Sequence, residues 1–128
     1  MQQNLLDTHT VIWFLDGDAL LSEKARNEIE EEGAVNFVSI ASVWEIAIKV
    51  SLGKLELKTP FNQINNKLEE NGFEILPVTF EDTLLLSGLP FHHRDPFDRI
   101  LIAQAMTNKM TIISKDKQFL SYAINVIW

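Results

Sequence analysis

The chain has 128 residues and a mass of 14.6 kDa, the size of one domain spanning residues 1–128. A hydrophobic content of 46% excludes disorder as the dominant state, and the absence of cysteine excludes a disulfide framework and any Cys-based zinc site. Eleven Lys and Arg against eighteen Asp and Glu give a net charge of -7, which speaks against nonspecific binding to nucleic acid but leaves room for a nucleic-acid enzyme, because a local metal ion reverses the field where a phosphate sits. In chain order, residues 4–6 read as a short buried strand that stops at Asp7. Residues 10–15 read as a helix closed by the turn Asp16-Gly17-Asp18. Ser22 caps a second helix that Gly33 closes, and residues 35–38 form a second strand. Ser39 or Ser42 caps a long helix through Val50 to near Gly53. Thr59-Pro60 opens a helix to Asn71-Gly72, with Pro60 in its first turn. A strand at 73–76, a helix at 81–88, a helix at 97–108 begun by Asp95-Pro96, and strands at 111–114 and 125–127 complete the chain. The longest apolar stretch, 40–50, carries Glu45 and Lys49, so no bilayer span is expected. Met1-Gln2-Gln3-Asn4 lacks the basic run of a signal peptide, and a cytoplasmic protein is expected.

Short apolar strands alternating with helices predict an α/β fold, with a mostly parallel sheet covered on both faces. Chemistry then belongs beyond the carboxyl ends of the strands. Four acids stand out against that frame. Asp7 follows the first strand, and Asp116 follows the strand at 111–114. Glu45 lies between Trp44 and Ile46 in a mostly apolar helix, and Asp98 lies in the first turn of the helix after Pro96. Burying one unpaired carboxylate costs several kcal/mol, and burying several together calls for a cation such as Mg²⁺ or Mn²⁺. Each acid also has a plain structural reading. Asp7 caps a helix; Asp98 is the acidic third residue of a capping box begun by Asp95; Glu45 pairs with Lys49 on the surface; Asp116 is a turn residue.

Leu5-Leu6-Asp7-Thr8-His9 with Trp13 resembles the opening strand of PIN-domain nucleases. The run from Ser42 to Lys49 with Gly53-Lys54-Leu55 resembles their second acidic motif, and His92-His93-Arg94-Asp95-Pro96-Phe97-Asp98-Arg99 with the following Ile100 to Ala105 is similar to the third. Ser114-Lys115-Asp116 with Phe119 is similar to the fourth. Order and length best resemble the VapC-like toxins of type II toxin–antitoxin systems. The resemblance implies a three-layer α/β/α sandwich around about five strands and Mg²⁺- or Mn²⁺-dependent endoribonuclease activity. It also implies homodimers and neutralisation by a cognate antitoxin. Carried over by position, Asp7, Glu45, Asp98 and Asp116 hold the metal, with Asp95 a secondary candidate and first of all a cap.

Thr8 and Ser114 border the acids and are candidates to bond a water or phosphate; a hydroxyl satisfied by nearby backbone is the plain alternative. Lys49, Lys54, Arg94, Arg99 and Lys115 are candidates for RNA phosphates, against the alternative of solvated or ion-paired side chains. His9, His92 and His93 are assigned to substrate contact or packing rather than to catalysis, and Trp13, Trp44 and Trp128 to a core or dimer interface. A haloacid-dehalogenase-like phosphatase would need an acid where His9 stands, and a receiver domain would need an acid pair at the first strand's end. The non-enzyme alternative is a PIN-like module with a silent site that binds RNA or protein.

Overall fold

The computed structural model describes residues 2–128; Met1, part of the N-terminal stretch read above, lies outside the described residues. Five strands form one all-parallel sheet: β1 (Gln3–Leu6), β2 (Val35–Ser39), β3 (Glu74–Leu76), β4 (Thr111–Ile113) and β5 (Val126–Ile127). Their order is β3-β2-β1-β4-β5, so the chain builds outward from β1 on one side and then returns to build on the other. The switch point therefore lies between β1 and β4, where Leu5 pairs with Ile112 and Leu6 with Ile113.

Alternation along these strands makes two cores. Leu6, Val38 and Ile113 point to one face and pack on α1 (Thr8–Asp16), α2 (Glu23–Glu30) and α4 (Ile64–Glu70) through Val11, Ala25, Ile29 and Leu68. Leu5 and Ile112 point to the other and pack on α6 (Pro96–Asn108) through Leu101, Ile102 and Ala105, with Phe119 beside them. This is the expected three-layer sandwich. The helix α5 (Phe80–Ser87) lies along α6, and α3 (Ile40–Ser51) crosses from β2 toward both α1 and α6. Among the described residues, no helix is long and apolar enough to cross a membrane.

Three helix starts follow the capping residues in the sequence. Ser22 accepts from the Ala25 N–H, and Asp95 accepts from the Phe97 and Asp98 N–H groups with Pro96 at the first helical position. Ser39, not Ser42, caps α3, accepting from the Ala41 N–H at 3.0 Å. Three starts differ from expectation. Helix α1 begins at Thr8, because Asp7 itself is its cap. Pro60 precedes a 3₁₀ turn, Phe61–Gln63, instead of opening α4. Its ψ of 142° is extended, so the first closure is the i+3 bond from the Gln63 N–H to the Pro60 carbonyl. Helix α5 starts one residue early because Thr79 and Asp82 form a reciprocal capping box, which also buries Asp82.

Candidate active site

Asp7 ends β1 at the switch point. Its N–H donates to the Ile113 carbonyl of β4 at 3.2 Å, and its Oδ1 accepts from the Thr10 N–H at 2.8 Å. Its Oδ2 accepts from the Ser114 hydroxyl, whose oxygen in turn accepts from the Asp116 N–H at 3.0 Å. One hydroxyl thus ties the acid after β1 to the residue that begins the turn after β4. Asp116 caps that 3₁₀ turn, Lys117–Ser121, by accepting from the Gln118 N–H at 2.9 Å. The capping readings and the site readings of Asp7 and Asp116 are compatible: each caps through Oδ1, and while Asp7 Oδ2 also accepts from Ser114, each carboxylate oxygen has two lone pairs, so acceptor capacity is left at both acids.

Glu45 reaches the same region from α3. Ser42, Glu45, Ile46 and Lys49 follow the i, i+3, i+4, i+7 spacing of one helix face, and Glu45 is buried. Its Oε1 accepts from the Thr8 hydroxyl at 2.7 Å, and its Oε2 pairs with Lys49 Nζ at 2.8 Å. The expected Glu45–Lys49 pair is made, but by a buried acid and not on the surface. Thr8 and Ser114 both donate to carboxylates of the motif set, and the Ser114 oxygen also accepts from nearby backbone, the Asp116 N–H.

Asp98 completes the group from the first turn of α6. Asp95 caps that helix, but the Asp95 N–H does not donate back to the Asp98 carboxylate, which leaves the Asp98 side chain for other contacts. Burial and the surrounding charges of Asp95, Asp7, Asp116 and Glu45, in that order, push its carboxyl up to about 7. Burial also pushes Asp7 up, against the pull of the Ser114 and Thr10 bonds and the charge of His9. Acids from β1, α3, α6 and the turn after β4 are therefore near enough to Asp98 for their charges to act on it. Among the described residues, no three Asp, Glu or His side chains stand close enough together to hold a metal ion as they are.

The basic candidates separate. Arg94, Lys54 and Lys115 are exposed, and Lys49 is committed to Glu45. Arg99 is neither a phosphate contact nor a solvated or ion-paired side chain. It is buried, donates to the Pro90 and Leu89 carbonyls at 2.9 and 3.1 Å, and lies 4.0 Å over the Phe91 ring. Its position one turn before Ile102 and Ala103 places it on the inner face of α6, a periodicity that was available in the sequence. Arg99→Ala should strand both carbonyls and cost roughly 2–3 kcal/mol of stability, read as a lower urea midpoint.

Of the two roles expected for Trp44, the core is not the one it takes within the chain: it is 63% exposed and meets Phe97 edge-on at 5.3 Å. Trp13 and Trp128 pack together at 5.7 Å beside the first core, as expected. His9 is exposed against Trp13, and His92 is exposed against Tyr122. His93 is buried, with Nε2 3.6 Å from Asp98 Oδ2. Tyr122, which anchors this loop, carried no signal in the sequence.

An all-parallel sheet with acids gathered at its switch point defines an α/β domain with a carboxylate-lined site at the C-terminal strand edge. The chain belongs to the PIN domain family, whose profile matches residues 5–125. PIN domains are generally nucleases. Its fold is similar to that of VapBC2 from Rickettsia felis, crystallised with a promoter DNA fragment, at a TM-score of 0.68 with 14% identity over 98% of each chain. It is similar too to FitAcB from Neisseria gonorrhoeae, at a TM-score of 0.64 with 19% identity over 98% of this chain and 96% of that one. VapBC-5 from Mycobacterium tuberculosis gives a TM-score of 0.62 with 18% identity over 99% and 97%. No curated protein sequence matches the chain.

Proposed function

We propose that residues 1–128 form one metal-dependent endoribonuclease domain, the cytoplasmic toxin of a type II toxin–antitoxin pair. The observation that carries this reading is the convergence of Asp7, Glu45, Asp95 and Asp116 on Asp98, whose carboxyl is raised by burial first and by their charges second. An oxygen-only donor set of this kind suits a hard divalent cation, and Mg²⁺ keeps several of its waters, so ligands can reach it through water without closing around it. Asp7, Asp98, Asp116 and Glu45 would hold Mg²⁺ or Mn²⁺. Bound there, such an ion supplies an activated water and neutralises charge on the phosphoryl oxygens. The chain's own part is positional. Ser114 and the Thr10 N–H fix Asp7, Thr8 and Lys49 fix Glu45, and the Gln118 N–H fixes Asp116. Exposed Arg94, Lys54 and Lys115 are left to meet the substrate backbone.

The partners in this reading are RNA, a cognate antitoxin and a second copy of the chain. Support for protein partners comes from the apolar groove lined by Ile40, Trp44, Val78, Pro96, Phe97 and Ile100, whose apolar rim is exposed beside the acids. The FitAcB and VapBC names of the similar structures point the same way.

A second reading, a silent module that binds RNA or protein, is favoured by the spacing of the acids and by the tie between Lys49 and Glu45. One experiment separates them. Structured RNA incubated with the protein in Mg²⁺ or Mn²⁺ should be cut at discrete sites, and excess chelator should stop the cutting. RNA left whole under every metal condition selects the silent module.

A further inference from the structure

The loop from Leu89 to Asp95 carries an arrangement that the acidic site alone does not account for. Tyr122 Oη is met by the His92 and His93 backbone N–H groups at 3.1 and 3.3 Å and by His93 Nδ1 at 3.3 Å, and its hydroxyl donates to the Pro90 carbonyl at 3.1 Å. A phenol oxygen has one hydrogen and two lone pairs. Two backbone N–H groups occupy the lone pairs. A hydrogen on His93 Nδ1 would therefore face an oxygen with nothing left to accept it. A bare Nδ1 shares the phenol hydrogen with Pro90 and fits the site. The neutral ring then carries its hydrogen on Nε2. That nitrogen is fully buried and has no partner at hydrogen-bond distance; Asp98 Oδ2, at 3.6 Å, is the carboxylate oxygen it faces. The ring is wedged edge-on against Phe119 and Tyr122, with centroids at 5.7 and 5.6 Å, so it cannot swing away to find another acceptor. The Asp98 side chain is partly exposed and can move.

We propose that His93 is a positioning residue for Asp98. Tyr122 locks it as the Nε2–H tautomer, and the Nε2–H holds Asp98 by Oδ2, leaving Oδ1 to the acidic cluster. The proposal deepens the nuclease reading and rests on it for Asp98's place in the site. It also explains why a histidine is buried two residues before the Asp95 cap: one ring joins the loop that carries the cap to the acid one turn further on. Supporting partners of this kind act by fixing the orientation of the group they hold.

Two measurements test it. Long-range ¹H–¹⁵N correlation spectra of the protein in chelator, above the ordinary imidazole titration range, should show His93 as the Nε2–H tautomer. Tyr122→Phe should release it to a mixture. An Nδ1–H tautomer in the wild type overturns the proposal. In cleavage assays His93→Leu should lower kcat by about 10–100-fold with little change in KM. His93→Gln, which keeps an N–H at the far end of the side chain, should recover most of that loss. Equal losses in the Leu and Gln variants at equal melting temperatures overturn it as well. If His93→Leu does not fold, the wild-type tautomer and the Gln variant still decide. A wild type without nuclease activity would instead overturn the nuclease reading, because the tautomer is read without turnover.

Discussion

Asp7→Asn is expected to lower metal-dependent RNA cleavage by more than about 100-fold while leaving the fold as stable as the wild type or more so. The size follows from its place in the set. Losing a residue that only supports a metal ligand typically costs 10–100-fold, and Asp7 is proposed as a ligand itself, at the switch point between β1 and β4. The stability follows from its surroundings. Burial pushes the Asp7 carboxyl up, which means that the folded protein disfavours its charge. Asparagine removes that charge, keeps an oxygen for the Thr10 N–H and presents an amide toward Ser114. A variant that is folded and inactive, with a melting temperature at or above that of the wild type, fits a site held at the expense of stability. A variant that still cuts RNA within tenfold of the wild type removes Asp7 from the chemistry. One that unfolds contradicts the claim that the folded protein disfavours the charge on Asp7.

What the sequence made legible was the order of elements and the identity of the acids. Both are local. Leu5 and Leu6 read as strand because they are apolar and end at an acid, and Asp95-Pro96 reads as a helix start because the pair suits a cap and a first turn. The strand-end positions of Asp7 and Asp116 then bring them together, since β1 and β4 are neighbours in the sheet. The misreadings come from contacts made across the fold. Arg99 looked like a phosphate ligand because it stands beside Asp98, yet its partners are carbonyls of the loop before α6. Trp44, read as core or dimer interface because its neighbours are apolar, is not part of the core of the chain. Helix α3, however, buries Ala41, Ser42, Glu45 and Ile46 and leaves Trp44 outside, so its inner face is mixed and apolar neighbours alone do not reveal it. The Tyr122 anchor is 29 residues from His93, and no local pattern announces such a pair.

The second large effect concerns pH. Between about pH 4 and pH 7, the protein in chelator is expected to become less stable as pH rises. The folded Asp98 carboxyl, at about 7, binds its proton more tightly than the same group in the unfolded chain, whose ordinary value is 3.8. The native state therefore holds more protons than the unfolded state across that window, and the slope of stability against pH is negative there. The contribution is fully present below the window and gone above it. This is the reverse of a salt-bridged acid, whose support is lost on acidification. The Asp98 side chain is 24% exposed, so solvent screening trims the effect. A fall in melting temperature of at least about 5 °C between pH 5 and pH 7.5 is still expected for a domain of this size. Asp98→Asn should remove most of that fall and raise the melting temperature at pH 7.5. Mg²⁺ or Mn²⁺ at pH 7.5 should restore the wild type by roughly 2–3 kcal/mol at a hundred times its dissociation constant, and should restore the variant much less. A flat wild-type profile, or the same slope in the variant, would mean that neither burial nor the neighbouring acids raise the Asp98 carboxyl, and the argument for a cation beside it would lose its footing.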